Sequence, residues 1–403
     1  MKYEVLKRSY VKRNIIIAIV IVLVLSAIIL TFTRAKYRTT QSMPLLNGTI
    51  NYTLADLNIV AMYLDGSEID TLPDGNYELT SESYCTNEEN VKDDSITLNY
   101  DGSTNTFTVA PFNKKGTKCY LYFDEKASGG DYILAGDNPP TNSTTDWTGG
   151  TSYYYTGNPN NWVQFGGFWW RIIRINGDGS IRMIYQGTSA NTTGTGTQIG
   201  TSEFNSSYNK SYYVGLVYAL NQHGSGQPST IMNTLNTWYN NNLASYEADY
   251  IDTGAGFCSD RNLQSGSWSA AVSHNYAAYG RLYNKGSESA SLQCSNVDIL
   301  SQDNGRLPNP IGLVTADEAA LAGVTWNNQK ESYLNTGQTY WTMSPFDFFS
   351  GYADVFSVTL NGILASGVVD WTVPGVRPVI NLKADTPILS GDGSSETPFV
   401  ITE

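Results

Sequence analysis

Hydrophobic and polar positions change rhythm along the chain, and each rhythm predicts a different element. Residues 15–32, IIIAIVIVLVLSAIILTF, are apolar apart from Ser26 and Thr31. As a helix at ~1.5 Å per residue this run reaches roughly 27 Å, close to the ~30 Å hydrocarbon core of a bilayer. The pattern predicts one transmembrane anchor. A cleaved signal peptide is the alternative, but the run exceeds the usual h-region and no clean small-x-small site follows. Lys2, Lys7, Arg8, Lys12 and Arg13 precede the run; Arg34, Lys36 and Arg38 follow it. That bias modestly favours a cytoplasmic N-terminus. The expectation is a single-pass membrane protein: tail and anchor at 1–38, and an extracellular, cell-surface remainder.

Beyond the anchor the rhythm shortens to the period of strands. INYTLADLNIVAMYL, YELTSESY, SITLNY, TFTVAPF and CYLYF alternate or run apolar between Asp-Gly and Lys-Lys-Gly turns, predicting a small β-sandwich-like module over 39–126. From 127 to 152 the composition turns to Gly, Pro, Ser and Thr, which predicts a linker. NNWVQFGGFWWRIIRINGDGSIRMIYQG then reads as a hairpin turning at Asn176–Gly179. Apolar residues at helical spacing after Ser229 (Ile231, Leu235, Trp238, Tyr239) predict a capped helix, and TADEAALAGV predicts a second one capped by Thr315. DVFSVTL, GILASGVV and GVRPVINL restore the strand pattern. Two helices among many strands predict an α+β domain over 153–386, followed by a C-terminal strand or tail at 387–403.

Charge and cysteines narrow the function. Residues 1–38 hold eight of the 24 basic and one of the 37 acidic residues, which leaves the remainder at −20. Such a surface repels nucleic acid. With 28 Tyr and 9 Trp the chain is also too aromatic to be disordered. Cys85, Cys119, Cys258 and Cys294 are even in number. Pairing within each proposed domain gives Cys85–Cys119 and Cys258–Cys294, each contributing roughly 3–4 kcal/mol on the chain-entropy estimate. Zinc is the alternative, but no C-x-x-C occurs.

RLPNPIGLVTADEAALAGV, YWTMSP and GVRPVINL, in that order, resemble the C-type-lectin-like fold of the formylglycine-generating-enzyme type, with Val376 in place of the Phe of its closing motif. FCSDR at Phe257, together with YWTMSP and GVRPVINLK, also resembles membrane-tethered bacterial surface proteins over nearly the whole chain. The same fold hosts the variable proteins of diversity-generating retroelements. The resemblance implies a ligand-facing segment, open to diversification, between the two scaffold-like motifs, at 346–373. Aromatic residues among scattered Asp and Ser suit recognition, and Phe346, Asp347, Phe349, Tyr352, Asp354, Phe356, Ser357, Ile363 and Trp371 are the candidate binding residues. The opposing view places Phe348, Phe356 and Trp371 in the core of a twisted hairpin.

Catalytic chemistry is harder to find. The four Cys do not match the copper-binding pair that formylglycine-generating activity needs. His223 and His274 read as solvated or structural, and no G-x-S-x-G, P-loop or H-E-x-x-H occurs. Gln227-Pro228-Ser229 and Trp326-Asn327-Asn328 only echo calcium-lectin motifs and stand about a hundred residues apart, so neither calcium nor any cofactor is expected. The expected function is ligand binding or adhesion, with a protein or glycan as partner. A carbohydrate-active or protein-modifying enzyme and a structural envelope component are the alternatives.

Overall fold

Alternating positions of the first module become strands in the computed structural model, which describes residues 58–72, 77–101, 106–110, 116–125, 128–285, 289–326 and 328–401. The chain divides into two compact units, 1–126 and 127–403. In the first, the strands are β1 (Asn58–Leu64), β2 (Ser67–Ile69), β3 (Tyr77–Leu79), β4 (Tyr84–Thr86), β5 (Thr97–Asp101), β6 (Thr106–Ala110) and β7 (Lys118–Glu125). β1 and β7 run parallel, β2 flanks β1, and β3 and β4 both pair with β7. Met62, Leu121 and Phe123 are buried beneath Leu98, Tyr100 and Phe107 of the β5–β6 hairpin. The second layer of the expected sandwich is thus reduced to this hairpin. Cys85 lies directly opposite Cys119 in the β4–β7 pair and is bonded to it.

In the second unit, β8 (Asn142–Thr145), β9 (Thr151–Tyr154), β10 (Trp162–Phe165), β11 (Phe168–Ile175) and β12 (Ile181–Gly187) begin a seven-stranded sheet. Two ribbons follow, β13 (Val217–Ala219) with β14 (Gln222–Pro228) and β15 (Phe257–Cys258) with β17 (Ile299–Leu300). β16 (His274–Asn275), β18 (Tyr340–Phe349), β19 (Tyr352–Val358) and β20 (Leu364–Val368) make an antiparallel sheet in that order. β21 (Val379–Leu382) and β22 (Phe399–Val400) return to the large sheet, beside β12 and β10. The second disulfide joins Cys258 to Cys294.

Short helices fill the gaps: α1 (Gly129–Ala135), α2 (Thr230–Asn242), α3 (Glu247–Tyr250) and α4 (Ala316–Leu321). The Ser229 hydroxyl accepts the Met232 N–H of α2, whose Ile231, Met232, Leu235 and Tyr239 form a buried stripe. α4 has the expected cap, reinforced by a capping box between Thr315 and Glu318.

Several expectations need correction. Among the described residues the fold is mostly β, with 34% strand against 17% helix, rather than α+β. Asn, Gly and Pro punctuate the chain so often that the longest described helix, α2, reaches only 13 residues. The stretch expected as a linker at 127–152 is structured over its described residues, 128–152, which carry α1, β8 and the start of β9. Their glycines allow close packing, since a Cβ on Gly129 would stand 2.3 Å from the Thr386 carbonyl oxygen and one on Gly130 2.3 Å from that of Gly179. The anchor expected at 15–32 lies outside the described residues. Among the described residues no helix is long and apolar enough to cross a membrane, so the transmembrane element is withdrawn from the fold class. The single-pass, cell-surface localisation that depended on it is withdrawn as well.

Candidate functional site

Two strands and a tight turn build the tip of the antiparallel sheet. Ser350 and Gly351 both have positive φ, +52° and +85°, the two-residue turn that matches strand twist. Inside it, Phe349 faces Tyr352, Phe348 faces Ala353 and Asp347 faces Asp354. Alternation holds here: Phe348 and Ala353 are buried, whereas Phe349 is 63% and Tyr352 49% exposed. The Tyr352 ring stacks on Tyr208 with centroids 5.2 Å apart.

One step further in, the register breaks. Pro345 pairs with Val355 although Asp347 pairs with Asp354, so one extra residue, Phe346, is accommodated in β18. Past this bulge both faces are covered. Phe346 stacks on Trp326 at 5.2 Å and meets Phe356 edge-on at 4.9 Å. Phe346, Phe356 and Ser357 are buried, and they leave the list of binding residues. Ile363 is half-buried in the β19–β20 turn, roughly 13 Å along the strand from Asp354. It too is separated from the group at the tip.

Trp371 stays with that group. It follows β20, folds back edge-on to Trp341 at 6.3 Å, and is 41% exposed. Gly367 makes room for it, because a Cβ there would lie 2.9 Å from the Trp371 ring. Asp354, Ser366, Asp370, Trp371 and Thr372 line a shallow, open concavity of about 590 Å³. Tyr208 and Asp370 are thus members of the site beyond the sequence candidates. Asp370 was within reach as a neighbour of Trp371, but nothing in the sequence ties Tyr208 to Tyr352.

Electrostatics sets the carboxylates apart. Among the described residues no Lys, Arg or His comes within 4 Å of Asp347, Asp354 or Asp370. Burial, and then the charge of Asp354, pushes Asp347 up to about 7. Burial, then Asp370, pushes Asp354 up to about 6, opposed by a hydrogen bond from Ser366. The folded state therefore holds both protons more tightly than an unfolded chain, in which Asp titrates near ~3.9. Their contribution to stability is complete below about pH 4 and is lost as pH rises through 6 and 7. Asp347→Asn should leave the thermal midpoint at pH 4 nearly unchanged and raise it at pH 8. A pH 8 midpoint no higher than wild type would show that these charges carry no strain.

No family model, curated protein or solved structure matches the chain. The His274 ring packs on Tyr276 and Phe348, with Nδ1 held 2.8 Å from the Val272 carbonyl oxygen. Ser229 of the Gln-Pro-Ser triplet caps α2. What the tip offers is three projecting aromatic rings around carboxylates that lack a cationic partner.

Proposed function

We propose that this chain is a ligand-recognition protein and that the tip of the β18–β20 sheet is its contact surface. The observation that carries this is the exposure of Phe349, Tyr352 and Trp371 around Asp347 and Asp354, which among the described residues have no cationic partner. Rigid aromatic rings supply contact area at little cost in side-chain entropy, and they dominate binding hot spots. Half-buried carboxylates without a base attract Lys and Arg groups, which also pack against aromatic faces. The ligand we favour is accordingly a protein segment bearing basic groups. The likeness of YWTMSP and GVRPVINL to the scaffold of C-type-lectin-like domains supports the same surface, since the segment between such motifs is where those domains bind. A glycosidase would also use two carboxylates, but these stand on an open face with no cleft to enclose a sugar ring.

The test is an array of basic, neutral and acidic peptides together with glycans, probed with the full chain. Wild type should select basic peptides. Phe349→Ala/Tyr352→Ala/Trp371→Ala should weaken that binding by at least roughly 100-fold, since one hot-spot ring alone is worth about 2 kcal/mol, and should keep a native circular-dichroism spectrum. Equal binding by the variant, or loss of its fold, would refute the assignment.

A further inference from the structure

A second polar site lies away from this tip, where two arginines are buried without counter-charge. Arg171 on β11 is 3% exposed and Arg377, just before β21, is 0% exposed. Arg171 donates to the Asn161 side-chain oxygen and to the Pro159 carbonyl, and its guanidinium lies over the rings of Trp162, at 4.2 Å, and Tyr333, at 5.1 Å. Arg377 donates to the Tyr185 carbonyl and the Gln186 side-chain oxygen and lies over Tyr340. Among the described residues no carboxylate comes within 4 Å of either. The other buried arginines each have one: Arg174 and Arg182 share Glu318, and Arg261 meets Asp298. Desolvating a guanidinium without an anion is costly. Burial brings Arg171 down to about 10, with Arg377 adding to the same effect and Tyr333 opposing it.

A cleft opens beside Arg171 and beside Gln186, the side-chain partner of Arg377. Arg171, Gln186, Asn191, Thr192, Tyr333 and Asn335 line it around about 590 Å³ of free space, within the roughly 300–1,000 Å³ of small-molecule sites. Tyr333 is 5% exposed, and its hydroxyl is buried with no hydrogen-bond partner. Such a group is rare in a folded protein unless a ligand or water completes it. Exposed Lys330 and Glu331 stand at the rim.

We infer that this cleft binds an acidic saccharide, its carboxylate neutralising Arg171 against the Tyr333 hydroxyl and its ring hydroxyls meeting Asn191, Thr192 and Asn335. A carboxylate supplies the missing anion and accepts from both donors. Side-chain amides and hydroxyls, rather than an apolar wall, suit a polyhydroxylated ring. This site shares no residue with the aromatic tip and does not depend on the reading given for it.

Calorimetric titration of the full chain with D-glucuronate, glucose, acetate and inorganic phosphate tests the inference. Glucuronate should bind saturably and at least tenfold more tightly than each of the other three. Tyr333→Phe should weaken glucuronate at least fivefold and leave the ligand-free thermal midpoint unchanged, because the hydroxyl it removes has no partner to lose. Lys330→Gln, at the exposed rim where folding is not at stake, should weaken it two- to threefold at low salt. Absence of glucuronate binding at tens of millimolar, equal binding of glucose, preference for phosphate or acetate, or wild-type affinity in both variants would each overturn it.

Discussion

Glu318→Ala should destabilise the 127–403 unit by about 3–5 kcal/mol, the cost of breaking a buried ion pair from one side. The Glu318 side chain is 2% exposed and stands between two arginines that are equally buried. Arg182 Nε lies 2.5 Å from its Oε1, as an ionic contact rather than a well-directed hydrogen bond, and Arg174 Nε lies at 3.5 Å. Its other oxygen accepts the Thr315 N–H at 2.8 Å, closing the capping box of α4. Burial pushes Glu318 up, but Arg182 and Arg174 outweigh burial and hold it below the usual carboxylate range. Truncation leaves two guanidiniums facing each other in the core and unties a helix end worth about 1 kcal/mol. Glu318→Gln keeps an acceptor for Thr315 and should fall between the variant and wild type. Urea denaturation followed by tryptophan fluorescence measures both; a midpoint shift no larger than for an exposed carboxylate would deny the triad its role.

Phe356→Ala should cost about 3–5 kcal/mol, the range for a buried Phe, whereas Phe349→Ala should stay within about 0.5 kcal/mol. Phe356 is fully buried and edge-on to both Phe346 and Trp326, while Phe349 projects from the turn. The same denaturation series reads both. Equal losses would place Phe349 in the core and remove it from the contact surface.

That contrast shows where sequence reasoning stopped. Strand positions in 340–369 were legible from apolar runs and turns, but their faces were not. A period of two assigns sides only while the register is unbroken, and the extra residue at Phe346 reverses parity within the segment. The Asp347–Asp354 pairing depends on the same register and was equally hidden. Cap residues at Ser229 and Thr315 were readable because capping is local; the arginines that meet Glu318 come from β11 and β12, far away in sequence. The Gly-rich stretch at 127–152 reads as linker because composition cannot distinguish glycine that is free from glycine that is crowded, as Gly129 and Gly130 are. Cysteine pairing was easier: each half-cystine bonds to its neighbour in sequence.

Hydrogen exchange on the full chain, with and without the basic peptide selected from the array, tests the contact surface most directly. Slowed exchange should concentrate at the β18–β19 turn, along 366–372 and beside Tyr208. Protection elsewhere, with these amides exchanging as fast as in the free protein, would contradict the proposed recognition face.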